Sequence, residues 1–237
     1  MTKKTQGIIL KVTDTSSSDK LLHILTEDLG LISAFVNLGS AKNKKNSQYD
    51  LFSYGEFVFF KTAAGNYLVN SFFIIENFYS IRENIAALAL AGYFAQVAIF
   101  ALKDRTEYER QLLSLVLNSL YLLSKGQNMQ KVKAVFELKV VQFLGFTPSL
   151  EVKEVCSQYY FSLEDGALLP ECSAGSIMIS NTGIQTISFI LSNQVKRAFS
   201  FKINEREINQ LSLVSEKYFL YQVECTFPAL EFYHEVV

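Results

Sequence analysis

The sequence predicts an α+β protein: an N-terminal five-stranded barrel over residues 1–80, then a helical domain over 81–237 carrying a small inserted β-hairpin lobe at 156–183. Three observations predict it. Apolar residues alternate with a period of two through the first 80 residues, and the period changes to three and four just past Arg82. The helical pattern is then interrupted once, between Cys156 and Gly183. A chain of 237 residues, 49% hydrophobic and 19% charged, has ample apolar surface for a core and is not of disordered composition.

Ile8, Leu10 and Val12 share one face of a first strand, and Leu22 and Ile24 one face of a second. Leu31, Ser33 and Phe35 line one side of a third, with Ile32, Ala34 and Val36 opposite. Turn-forming runs at 14–19 and 27–30 separate these strands. Residues 57–61 and 67–75 supply two more, joined by the turn at 62–66. Five short strands with regular turns in so few residues suit a small OB barrel, an architecture that often carries single strands of nucleic acid on its face.

Past Arg82, Ile85, Leu88, Ala89, Gly92, Tyr93, Gln96 and Ile99 recur as one helix face. Residues 107–125 repeat the pattern through Leu112, Leu113, Val116, Leu120 and Leu123, with Gly126 as C-cap. A third helix, 132–144, is stopped by Gly145 and Pro148. Residues 187–199 and 204–223 read as two further helices, the latter with Asn204 as N-cap and Glu207 as its partner. Turn signals at Asp165-Gly166 and at 181–183 mark the lobe between them.

The net charge is only -1, so any affinity for nucleic acid must come from local charge. Up to Ser80 there are eight Lys against seven acids, from Ile81 to Val155 nine cations against seven, and from Cys156 onward five against nine. Between Asp28 and Asp50 no acid occurs, and the Gly/Ser/Asn-rich loop at 39–49 holds Lys42, Lys44 and Lys45. Such a loop suits a phosphate backbone, because Lys neutralises phosphates without reading bases; the alternative is an ordinary solvated turn. Lys11 and Lys61, at strand positions, are further candidate DNA contacts, and Tyr49 would either stack a base or pack beneath the loop.

Other classes find no support. The most apolar stretch, 85–102, is broken by Gly92, Tyr93 and Gln96, so it reads as a buried helix; a membrane span needs roughly 20 apolar residues. Cys156, Cys172 and Cys225 are odd in number and widely spaced, which points to reduced thiols in the cytoplasm, and the N-terminus lacks an apolar signal core. Neither glycine-rich nucleotide cradle is present. His23 and His234 are the only histidines, and no motif sets a nucleophile beside either. The expectation is a protein with no catalytic residues and no cofactor.

Taken in order, these pieces resemble the bacterial RecO family of recombinational DNA-repair mediators. The opening 7–11, then Ser18-Asp19-Lys20, then Thr26-Glu27 with Gly30, is similar to that family's N-terminal signature. The loop at 39–47 stands where the family has a basic Gly-Ala-Arg-Arg segment, here with lysines. Phe136-Glu137-Leu138 followed by Gly145-Phe146 and Pro148 resembles the end of a family helix, and the likeness runs from Gly7 to about Cys172. Many members bind zinc through two Cys-x-x-Cys pairs after that helix. Here Tyr159 and Leu169 stand where the second and third thiols would fall, so the resemblance implies a lobe kept by packing, with the metal lost.

The resemblance further implies a non-catalytic, cytoplasmic, nucleoid-associated mediator. It would bind single- and double-stranded DNA, anneal complementary strands, partner RecR, contact the C-terminal tail of SSB and help load RecA. An acidic tail ending in an aromatic calls for an apolar pocket rimmed with cations. Lys131, Lys133 and Lys139, near Phe136, would form one unless they are simply the solvated face of an amphipathic helix. The rival class is a protein-interaction scaffold whose barrel binds no nucleic acid.

Overall fold

In the computed structural model the described residues are 2–15, 19–37, 48–103, 109–151, 156 and 158–237. Five strands form the N-terminal barrel: β1 (Thr2–Asp14), β2 (Lys20–Thr26), β3 (Gly30–Val36), β4 (Tyr54–Lys61) and β5 (Tyr67–Glu76). Their order is β1-β2-β3-β5-β4, and β4 pairs back onto β1. All pairings are antiparallel except β3 with β5, which meet through Ala34↔Tyr67 and Phe35↔Leu68 alone. That short parallel seam is the weakest closure of the ring.

Alternation fixes what faces inward. Ile9, Leu22, Ile24, Ile32, Ala34, Val36, Phe57, Phe59 and Phe72 form the barrel core, with Tyr49. Phe57 lies stacked against Phe72 at 4.0 Å between ring centroids and against Phe59 at 5.3 Å. A bulge between Ile9 and Lys11 lets one long strand serve two partners, β4 with its first half and β2 with its second. Gly55 is required where β4 passes β5, because a Cβ there would strike the Phe73 carbonyl oxygen.

By compactness the chain divides into two units, Met1–Asn84 with Phe94–Leu117, and Ile85–Tyr93 with Asn118–Val237. In the first, Arg110 of α2 (Glu109–Ser124) holds the β2–β3 turn. Its Nη2 lies 2.6 Å from Asp28, and its Nε donates to the Glu27 carbonyl at 3.3 Å. The Arg110 guanidinium and the Thr5 hydroxyl hold the Asp28 carboxyl below its usual range.

The helices are α1 (Ile85–Ala101), α2, α3 (Met129–Leu144), α4 (Asn181–Ser192), α5 (Val195–Ala198), α6 (Glu205–Val223) and α7 (Pro228–Val236). In the second unit α3 is central and packs chiefly on α6. Tyr93 meets the Phe219 and Phe227 rings edge-on. The lobe is a three-stranded sheet, ordered β7-β6-β8, of β6 (Tyr159–Ser162), β7 (Leu168–Leu169) and β8 (Ser176–Ile179). Among the described residues no helix is long and apolar enough to cross a membrane.

Helix α4 differs from the sequence reading at both ends, and the expected helix 187–199 is split into α4 and α5. Residues 181–183, read as a turn, are the first turn of α4: the Ser180 hydroxyl accepts from the Gly183 N–H at 2.9 Å, an N-cap. That helix then ends at Ser192, seven residues earlier than the periodicity suggested. Helix α7 was not anticipated; Pro228 starts it at the position where a missing N–H is harmless, and Leu230 and Tyr233 bury one face. Asn204 caps α6 as expected, accepting from the Glu207 N–H at 2.9 Å.

Candidate nucleic-acid interface

Because Leu22, Ile24, Ile32, Ala34 and Val36 point inward, Leu21, His23, Ser33 and Phe35 must line the outer face of β2 and β3. Register sets them in rows. Lys11 faces His23, which faces Ser33; Thr13 faces Leu21, which faces Phe35. The second row continues across the seam from Phe35 to Leu68 and on to Phe60. Phe35 is 38% exposed, Leu68 36% and Phe60 47%, so two aromatic rings and a leucine lie open on this face.

Lys11 lies on it, exposed beside His23. Lys20, half-buried at the start of β2, shares the inward side of its strand with Leu22 and with its register partner Val36. Lys61 is exposed at the end of β4, on the side of that strand where Phe57 and Phe59 point inward, its ammonium 5.4 Å from the Tyr67 ring centre. Burial first, and then the charge of Lys11, lower the His23 pKa, and the ring nitrogen Nδ1 lies 3.2 Å from the Ser33 hydroxyl. A neutral imidazole and a hydroxyl in line with Lys11 provide hydrogen bonds that tolerate any sequence, and the exposed rings offer stacking surfaces. Lys4, by contrast, is committed to Glu56 at 2.9 Å.

Lys42, Lys44 and Lys45 lie outside the described residues. Lys11 and Lys61 are on the surface as expected. Phe35 and Phe60 were not singled out as surface residues, although the alternation of β3 had already set Phe35 on the side away from Val36.

Of the two roles expected of Tyr49, packing is the one found. The residue is buried and stacked on Phe72, with ring centroids 5.9 Å apart, and burial raises its phenol pKa. It fills the barrel core and offers no face to a base.

The lysines of α3 are corrections. Lys133 is buried, bonded to Glu216 at 2.8 Å and to Glu137 at 3.3 Å, and it donates to the Ser212 hydroxyl and carbonyl. Lys139 is buried and donates to the Asn193 carbonyl at 2.7 Å and the Leu191 carbonyl at 3.3 Å, serving the last turn of α4. Lys131 donates to the Phe201 carbonyl at 2.6 Å and sits 4.5 Å from that residue's ring centre. Phe136 is fully buried. The helix has no solvated side on which a cationic rim could form, since apolar residues occur all round it.

The lobe was tested for a metal site through its donors. Cys156 is half-buried and Cys172 exposed, both as free thiols. Tyr159, at a position where many relatives would have a thiol, is buried, and its hydroxyl accepts from the Cys156 N–H at 3.1 Å. Phe161 packs edge-on against Tyr218 at 5.0 Å. Two thiols, a phenol and the Leu169 side chain do not make a tetrahedral zinc set, and no metal-holding cluster of His, Cys, Asp or Glu occurs among the described residues.

Residues 1–78 match the family profile described as Recombination protein O N terminal, and residues 82–231 the profile described as Recombination protein O C terminal. The chain belongs to the RecO family. It is 30% identical to the DNA repair protein RecO of Acetivibrio thermocellus over 241 residues, covering 97% of this chain and 95% of that protein. It is 29% identical to the DNA repair protein RecO of Caldicellulosiruptor saccharolyticus, covering 97% of both. The RecO protein of Dehalococcoides mccartyi matches at 27% identity over 89% of this chain and 86% of its own length. RecO membership makes this a DNA-repair protein.

Proposed function

We propose that this RecO-family chain is a non-catalytic recombination mediator. It binds single- and double-stranded DNA on its barrel, anneals complementary strands and, with RecR, loads RecA onto SSB-coated DNA in the cytoplasm, at the nucleoid. The single observation that supports this best is the outer barrel face, where Lys11, His23 and Ser33 stand in one row beside the exposed Phe35, Leu68 and Phe60. Cations attract the backbone and the rings order the bases, which gives affinity without sequence preference. The acid-free run holding Lys42, Lys44 and Lys45, which follows β3 in the sequence, adds phosphate contacts.

Annealing requires two strands to be neutralised together, which a loosely specific electrostatic surface provides. The test is the rate at which two complementary labelled oligonucleotides pair, bare and SSB-coated, with and without the chain. Faster pairing at low salt that disappears at high salt supports the mediator reading. A chain that accelerates neither reaction and binds no oligonucleotide at low salt would leave the scaffold reading in its place.

A further inference from the structure

Strand β5 is paired on both sides only at its start. Beyond Leu68 its one registered neighbour among the described residues is β4. Between irregularities at the two ends of this stretch, Ser71, Phe72, Phe73 and Ile74 run in register with Val58 to Gly55. Phe73 is 63% exposed, Ile74 44% and Ile75 57%. Proteins usually blunt such an edge with charge or proline, yet residues 70–76 carry a single charge, Glu76, at the far end. Contiguous exposed apolar side chains along an open edge mark an interaction surface.

The surrounding charge selects the occupant. Glu56 faces Phe73 across the pair, Glu76 ends the strand, and Glu83 follows on the 3-10 turn Tyr79–Glu83. The cations nearby are engaged: Lys4 with Glu56, and Arg82 with the Leu51 carbonyl at 2.9 Å and Asp50 at 3.9 Å. An acid-rimmed edge repels phosphate, so the occupant is not nucleic acid. A second copy would bring the same acids to the same edge. We propose that residues 70–76 dock an extended segment of a protein partner by strand addition, its alternate apolar side chains lying on Phe73 and Ile75 and its flanking lysines or arginines meeting Glu76 and Glu83.

The probe is a fluorescent peptide of alternating valine and threonine flanked by lysines, titrated into the full chain. Saturable binding is expected. It should weaken at least tenfold for the Phe73→Ser, Ile75→Ser double variant, whose exposed positions leave the core untouched. Methylating alternate backbone amides of the peptide should abolish binding to the unmodified chain, a readout independent of whether the variant folds. The peptide should also slow hydrogen exchange at 70–76. Absence of binding at millimolar peptide, equal affinity for the double variant, or indifference to backbone methylation would overturn the proposal. So would self-association of the chain, or an oligonucleotide, protecting the 70–76 amides.

Discussion

Glu137 has no exposed surface, and burial raises its carboxyl to about 7 against the opposing pull of Lys133, Ser215 and Tyr93. The Tyr93 hydroxyl donates to it at 3.0 Å and the Ser215 hydroxyl at 2.7 Å. Unfolded, the group returns to its ordinary value of 4.5, so between those two values the folded chain holds a proton the unfolded chain releases. Its stabilising contribution is complete below about pH 4.5 and is lost as pH rises through about 7. Urea unfolding of the wild type against Glu137→Gln, from pH 5 to 7.5, should show a difference growing by up to about 3 kcal/mol, as the wild type alone loses stability. Parallel profiles would mean the carboxyl is already charged across that range. Lys133→Ala, which strips the cation from both Glu137 and Glu216, should destabilise by about 3 to 5 kcal/mol in the same assay near neutral pH.

At the scale of elements, Lys139 shows why a helix needs its neighbours. Its ammonium supplies donors to the carbonyls of Leu191 and Asn193, where α4 ends without a glycine cap. Lys139→Met should expose α4 to fraying and lower global stability by about 1 to 3 kcal/mol, the range for a buried acceptor left unmet. Faster hydrogen exchange in 188–192 would locate the effect. The second and third strands were legible in the sequence because alternation fixes the inward face. Leu22, Ile24 and Val36 all lie where it put them. In β1 the bulge after Ile9 breaks the alternation, so that Ile9 and Val12 turn into the barrel in place of a face shared by Ile8, Leu10 and Val12. The third helix was legible as a helix but not as a buried one. Its lysines resemble a solvated face until α6 and the end of α4 are brought against them, which is tertiary information. Tyr49 stood open between stacking and packing for the same reason: nothing local tells that it enters the barrel onto Phe72. Phe35 was readable and overlooked, since only knowledge of which face is outside makes it a contact surface.

At the scale of the whole molecule, the charge of -1 leaves no global pull toward DNA, so binding depends on where the cations sit. A fragment of residues 1–80 lacks Arg110, which grips Asp28 and Glu27. It should therefore melt below the full chain, being also small for a core, yet keep measurable affinity for oligonucleotides. The central claim is that Lys11 on the outer barrel face, Lys61 at the end of β4 and the lysine run that follows β3 in the sequence hold the phosphate backbone. Its most direct test is the salt dependence of oligonucleotide binding, by fluorescence anisotropy, for the wild type and for Lys42→Ala, Lys44→Ala, Lys45→Ala combined, with Lys11→Ala, Lys61→Ala as a second variant. Each lost phosphate contact should make the log–log slope shallower by roughly 0.7 to 0.9, hence by about two to three for the triple variant and one to two for the double, with unchanged melting temperatures. Slopes equal to the wild type in both variants would put the DNA on another surface.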